Sequence, residues 1–193
     1  MQVKMTKAFA VKEPVAQVWQ FLSDPRKVVT CVPGAQLTEV VDQHRYMGTI
    51  SVQVGPVVTN YKGELTIVRL DPQNFEIELV GKGQDIKGKG NASVKMLGKL
   101  CALPHGGTEI RGSSEITITG LLAQFGSRMV EEVSEQMFGQ FTQSLQKNLE
   151  GVKASGAEPQ RAQPLKAIPL LLQALAMTIL RFFRRITGRV GVS

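Results

Sequence analysis

Polar and apolar residues alternate over residues 3–11, the pattern of a half-buried strand, and helical spacing of apolar residues follows directly after Pro14. A second short helix is expected over residues 24–30, before the Pro33–Gly34 pair, which favours a turn. Six later stretches are rich in β-branched or alternating residues and are bounded by breakers. They are residues 35–42, 45–54, 57–70, 73–80, 86–98 and 107–119. Short turns between them predict, with the first strand, a seven-stranded antiparallel sheet.

The longest helical pattern runs from residue 121 to residue 149 and contains no proline. A large apolar residue recurs there at every fourth position, and a strict four-residue repeat drifts by about 40° per step on an α-helix. Only part of this stripe can therefore face one surface. Gly126 and Gly139 interrupt the pattern, and we expect close sheet contact or room for a ligand at both. A long helix across a curved sheet predicts an α+β domain with a cavity between them.

The C-terminal part of the chain has a different character. Residues 151–164 are rich in Gly, Ala, Pro and polar residues and predict a flexible linker. Residues 165–189 predict a separate amphipathic tail helix, whose apolar side chains fall within about 120° of arc. Its uncharged stretch, 167–180, has 14 residues, whereas about 20 are needed to span a bilayer. The predicted organisation is a ligand-binding domain at 1–150, the linker, and a membrane-binding helix at 165–189.

The charge of the chain supports a membrane partner for the tail. Residues 1–150 contain 16 Lys or Arg and 15 Asp or Glu, and residues 151–193 contain 7 and 1, so the net charges are +1 and +6. A nearly neutral body argues against nucleic acid, and a basic helix favours a surface of anionic lipids. The predicted membrane-binding residues are Ile168, Leu171, Leu172, Leu175, Ile179, Phe182, Phe183, Ile186, Arg181, Arg184, Arg185 and Arg189. The alternative is that the helix packs on its own domain or on a partner protein.

Catalytic and metal-binding patterns are not recognisable in the sequence. Cys31 and Cys101 have no zinc-ligand spacing with each other or with the two histidines. Asp85 is a single carboxylate among lysines, which is more typical of a turn or an ion pair than of catalysis. The glycines at 81–90 favour bent strands over a phosphate loop. We therefore expect no enzyme, no catalytic residue and no metal. The N-terminus has no signal-peptide pattern, so we expect a cytoplasmic protein.

Several segments together resemble the G-subunit family of carbon monoxide dehydrogenase. They are VxxPVAxVWxFLSDPRKV at 11–28, CVPG at 31–34, VGP at 54–56, GxGxDxKGxG at 81–90 and GLLAQFGSR at 120–128. The resemblance implies the helix-grip fold of START and birch-pollen-allergen proteins: a curved seven-stranded antiparallel sheet wrapped around a long C-terminal helix, with two short helices after the first strand. It also implies a cavity instead of a filled core, and a molybdenum hydroxylase such as carbon monoxide dehydrogenase as partner.

On this basis we expect a non-catalytic carrier of an apolar small molecule. The predicted lining is Tyr61, Leu65, Ile77, Val94, Ile116, Phe125, Met129, Val133, Met137 and Phe141. An isoprenoid quinone, menaquinone or ubiquinone, fits both a cavity and a membrane-binding tail. The protein would lie peripherally on the inner face of the cell membrane and link the hydroxylase to electron transport. The alternatives are a purely structural anchor, a maturation factor for the hydroxylase, and an enzyme resembling polyketide cyclases.

Overall fold

One seven-stranded antiparallel sheet dominates the computed structural model, which describes residues 1–154. The spatial order of the strands is β1-β7-β6-β5-β4-β3-β2. The strands are β1 (Gln2–Val11), β2 (Ala35–Val40), β3 (Arg45–Val54), β4 (Val57–Asp71), β5 (Glu76–Asp85), β6 (Asn91–Ala102) and β7 (Thr108–Ile118). Two short helices, α1 (Val15–Leu22) and α2 (Pro25–Val28), follow β1, and α3 (Gly126–Ala154) ends the described chain. The predicted fold class is confirmed.

The sheet has an inner face, which α3 covers, and an outer face exposed to water. Alternation along β1 assigns Val3 and Val11, both buried, to the inner face, while Lys4 and Thr6 point outward and are exposed. The register places Val3 beside Ile116 of β7, which in turn lies beside Val94 of β6. Residues directly opposite each other on neighbouring strands share a face. One inner row therefore crosses the sheet from β1 to β6 at this level.

Two strand predictions are wrong in their bounds. The predicted strand 73–80 is β5, which begins at Glu76 and continues to Asp85 through two glycines of the 81–90 run. It starts late because Asp71 accepts hydrogen bonds from the backbone N–H groups of residues 73 and 74 and so holds a turn. The predicted strand 86–98 is β6, Asn91–Ala102, because residues 86–90 form a turn instead.

The helices also differ from their predictions. The second helix, expected over 24–30, spans only Pro25–Val28. The long helix does not start at residue 121 as expected, because Gly120–Phe125 forms a 3₁₀ helix and α3 starts at Gly126, whose φ is +81°. Gly126 therefore joins the two helices with a positive φ angle, which glycine adopts more readily than other residues. Residues 151–154, predicted as linker, are helical, and the rest of the predicted linker and tail lies outside the described residues.

A cross-strand row of glycines lets neighbouring backbones approach closely. Gly48, Gly63 and Gly83 are partners in register on β3, β4 and β5. A Cβ atom at Gly63 would lie 2.1 Å from the carbonyl oxygen of Lys82, and one at Gly48 would lie 2.7 Å from that of Gln36. Neither position tolerates a side chain without a backbone shift. Glycines in this row therefore permit stronger sheet curvature than residues with side chains would.

Candidate ligand-binding cavity

The inner face of the sheet is closed at one end by a packed cluster that we call the α1 end. Its fully buried members include Val18 of α1, Cys31, and Leu145 and Leu149 of α3. Asn148 of α3 reinforces the contact, because its side-chain amide donates hydrogen bonds to the Cys31 sulfur at 3.2 Å and the Thr30 hydroxyl at 3.3 Å. Burial raises the pKa of the Cys31 thiol. The C-terminal apolar residues of α3 are thus packed against α1.

A second cluster, the β3 end, closes the opposite end of the inner face. Its buried core is Val3, Val54, Tyr61, Ile118, Leu122 and Val130. Leu122 is supplied by the 3₁₀ helix and Val130 by the first turns of α3, so the junction at Gly126 lets both elements reach the sheet. Tyr61 is 5% exposed, and burial raises the pKa of its hydroxyl. This end is therefore also packed and largely dry.

Between these clusters lies a stretch of inner face that neither fills, which we call the central gap. Four predicted lining residues, Leu65, Ile77, Val94 and Met137, belong to neither cluster and are only half-buried. Met96, at an inner position of β6, remains 39% exposed. The backbone of α3 packs more closely against β1 and β3 than against the central strands. These apolar side chains, three on the sheet and Met137 on α3, keep contact with water, so packing covers only part of their surface.

The other predicted lining residues lie around the central gap rather than in it. Tyr61 is part of the packed β3 end, and four half-buried residues pack against that cluster: Ile116, Phe125, Met129 and Val133. Phe141 packs against the α1 end. The ten residues thus lie on the facing surfaces of the sheet and of the helices that cover it, and those at the two ends belong to the packed clusters or pack against them. Two grooves of about 410 and 550 Å³ lie on the outer face, and most of the residues that line them are polar or charged.

Buried polar side chains in the described residues serve local structure. Asp85 accepts hydrogen bonds from the Thr59 hydroxyl and from the backbone N–H groups of Lys87, at 2.9 Å, and Lys89, at 3.1 Å. These bonds, that of Thr59 foremost, hold the pKa of Asp85 below its ordinary value. At the other end, the Thr108 hydroxyl donates to the backbone carbonyl of Glu13 at 2.7 Å. Asp85 is thus the organiser of a turn, as its sequence context indicated.

Within residues 1–154 no group of three or more His, Cys, Asp or Glu residues is arranged to hold a metal ion. Across the same residues, no helix is both long and apolar enough to cross a membrane.

Three inner-face residues beside the central gap were not among the predicted site residues. Lys7 of β1 forms an ion pair with Glu135 of α3, and Ser114 of β7 is half-buried next to Gly112. A Cβ atom at Gly112 would meet no heavy atom within 4 Å, so open space lies above this glycine. Alternation could have identified Lys7, because it falls between Met5 and Phe9 on the apolar side of β1. Gly112 and Ser114 carry no such signal without the register.

A curved antiparallel sheet that holds one long helix across an apolar gap defines the helix-grip class, to which START-like proteins belong. Residues 8–150 match the family described as the G subunit of carbon monoxide dehydrogenase (CoxG), and the chain belongs to this family. Fold and family together indicate an accessory protein that binds a hydrophobic ligand. The family prediction made from the motifs is confirmed.

Solved structures agree on the fold. A conserved protein from Geobacillus kaustophilus is 19% identical, with a TM-score of 0.71 over 77% of this chain and 96% of that one. The Zhui aromatase/cyclase from Streptomyces sp. R1128 is 14% identical, with a TM-score of 0.59 over 82% and 99%. A START superfamily protein from Mycobacterium smegmatis is 10% identical, with a TM-score of 0.52 over 77% and 98%. At these identities the likeness is one of fold alone. No curated protein sequence matches the chain.

Proposed function

We propose that this protein is a non-catalytic carrier that binds an isoprenoid quinone in the central gap. In this role it serves a molybdenum hydroxylase of the carbon monoxide dehydrogenase type and links that enzyme to the electron-transport chain of the membrane. The observation that carries the proposal is that Leu65, Ile77 and Val94 on the sheet and Met137 on α3 stay half-buried between two packed ends. A site for an apolar molecule needs such unfilled apolar surface.

The side chains around the gap suit a long, flexible ligand. Met137 and the exposed Met96 have unbranched, polarisable side chains that adapt to irregular apolar shapes. Quinones stay in lipid because of their isoprenoid tails, whereas a hydroxylase in the aqueous phase must pass its electrons to an acceptor. A domain that shields the tail while presenting the quinone would join the two. The redox chemistry would belong to the quinone, and the protein would supply binding and access.

Membrane attachment in this proposal rests on the sequence of residues 165–189, which lie outside the described residues. The basic face of the predicted helix would meet anionic headgroups, at roughly 1 kcal/mol for each arginine, and its apolar face would enter the interface. In this proposal the tail, residues 165–189, keeps the protein at the bilayer, and the domain at residues 1–150 binds the ligand.

The test is mass spectrometry of an organic extract of the full chain, purified from a quinone-containing host. We expect near-stoichiometric quinone. Gly112→Trp places a bulky side chain in open inner space and should remove most of it, whereas Ser113→Trp, on the exposed outer side of the same strand, should not. Quinone carried only by lipid on the tail would be equal in both variants. Reproducible absence of quinone after its addition would contradict the carrier and favour a purely structural anchor.

A further inference from the structure

The inner face beside the central gap contains a small polar area whose residues come from three elements. Lys7 of β1 and Glu135 of α3 form an ion pair, and their side chains are 33% and 53% exposed. Lys7 lies directly opposite Gly112 of β7, and Ser114 is the next inner residue on that strand. A diagonal cross-strand pair such as Lys7 and Ser114 is within reach of a long side chain. We call Lys7, Gly112 and Ser114 the Gly112 hollow.

The floor of the hollow is flat and open. Gly112 lies opposite Gly98 of β6, so two neighbouring strands lack inner side chains at this level. A Cβ atom at Gly98 would lie 3.0 Å from the Ile77 side chain, whereas one at Gly112 would meet nothing within 4 Å. Ile77 thus covers Gly98 and leaves Gly112 bare. A planar ring resting on Gly112 would contact Ile77 on one side and Lys7 on the other.

The hollow also offers hydrogen-bond donors in apolar surroundings. The Ser114 side chain makes no hydrogen bond within the described residues, and its half-buried position leaves it accessible. The Lys7 ammonium carries three donor hydrogens and can bond a ligand while it keeps Glu135. Phe9, the next inner residue of β1, packs edge-to-face on Phe138 of α3, with ring centroids 5.7 Å apart. Donors placed against apolar walls suit a ligand with an acceptor oxygen on an otherwise apolar body.

We propose that the Gly112 hollow binds the ring of the ligand, with Lys7 and Ser114 donating hydrogen bonds to a ring carbonyl oxygen while the isoprenoid tail lies along the central gap. This inference rests on the proposed carrier function and adds the place of the quinone ring and the two donors that would distinguish a carbonyl-bearing ring from a hydrocarbon. A hydrocarbon of the same shape would fit the gap and leave the donors of the hollow unpaired.

The test compares two ligands by titration calorimetry on the full chain: menaquinone with a geranyl side chain, and the corresponding geranyl methylnaphthalene, which lacks both carbonyl oxygens. Native protein should prefer the quinone. Lys7→Met should weaken quinone binding about tenfold and Ser114→Ala about threefold to tenfold, because each removes one donor, while hydrocarbon binding stays unchanged. The matched controls are Lys4→Met and Ser113→Ala on the outer face, where Lys4 pairs with Glu115 at 3.4 Å.

The outcomes distinguish the hollow from the carrier function. Quinone affinity equal in the inner and outer variants would overturn the assignment of the hollow, and so would an equal loss for both ligands, which would indicate packing instead of hydrogen bonding. If the native chain binds neither ligand, the proposed carrier function itself fails, and this inference fails with it. Circular dichroism spectra of all four variants would show whether the fold is retained, and Lys7→Leu, which also lacks a donor, replaces Lys7→Met if that variant misfolds.

Discussion

Truncating Leu145 and Met137 to alanine tests whether the middle of the inner face is open. Both residues lie on α3, but Leu145 is fully buried in the α1 end, whereas Met137 is half-buried in the central gap. Leu145→Ala removes three carbons at about 0.8 kcal/mol each and leaves a closed void, so we expect a loss of about 3–5 kcal/mol in the free energy of unfolding. Met137→Ala removes a side chain already in contact with water and creates no closed void, so about 1 kcal/mol is expected.

Urea denaturation of the full chain measures both values, and the fluorescence of Trp19, the only tryptophan, reports unfolding of the α1 end. Met137→Ala should weaken ligand binding more than Leu145→Ala, the reverse of their effects on stability, because only Met137 lies in the central gap. Leu145→Ala is expected to keep the quinone affinity of the native chain at temperatures where it is folded. Equal destabilisation by the two substitutions would refute the open middle and indicate a filled core.

Three further predictions concern other parts of the chain. Gly139→Ala should raise the unfolding free energy by about 1 kcal/mol in urea, because a Cβ there meets nothing within 4 Å outside its own helix; an unchanged or lower value would contradict this. The pKa of Asp85 is lower in the folded protein than in the unfolded chain, where it is near 3.8, so the ionised carboxylate stabilises the fold above that pH. This stabilisation is lost as the pH falls through the folded pKa. Acid titration should therefore lower the unfolding free energy of the native protein more than that of the Asp85→Asn variant. Flotation with anionic vesicles should be partly salt-sensitive and lost in Phe183→Glu; retention would argue against interfacial binding.

Much of the architecture could be predicted because alternation and helical spacing are local signals. The number of strands, their succession along the chain and the long helix follow from them, whereas the pairing of β1 with β7 does not. The bounds of β5 and β6 could not be predicted in the same way. The glycines at 81–90 favoured bent strands, but no local signal showed that Gly81 and Gly83 extend β5 while residues 86–90 form a turn. Their place in the ladder depends on non-local partners on β4 and β6. Glycine is weak evidence for a loop in a curved sheet, because it can lie within a strand where the strand bends.

One of the two reasons expected for a glycine at position 139 is wrong. A Cβ atom there would meet nothing within 4 Å outside its own helix, so the position makes no close contact with the sheet. The helical repeat places it opposite the inner residues Val130 and Asn148 of α3, and room for a ligand stays a prediction. The candidate site was predicted only in part for a related reason. Apolar lining residues follow from periodicity, and alternation places Lys7 on the inner face, whereas its position beside Gly112 and Ser114 depends on the register of β1 with β7.

The glycine row lies where the sheet meets the β3 end. Side chains at Gly48 and Gly63 would collide with the backbone of a neighbouring strand, whereas one at Gly83 would only touch Tyr61. The row continues in register through Ala92 to Ile118, which is buried in the β3 end. Because glycine lets strands bend and approach closely, we expect the sheet to curve most strongly here. Curvature at this level would carry the central strands away from α3, which would connect the glycine pattern of the sequence to the half-buried apolar side chains of the central gap.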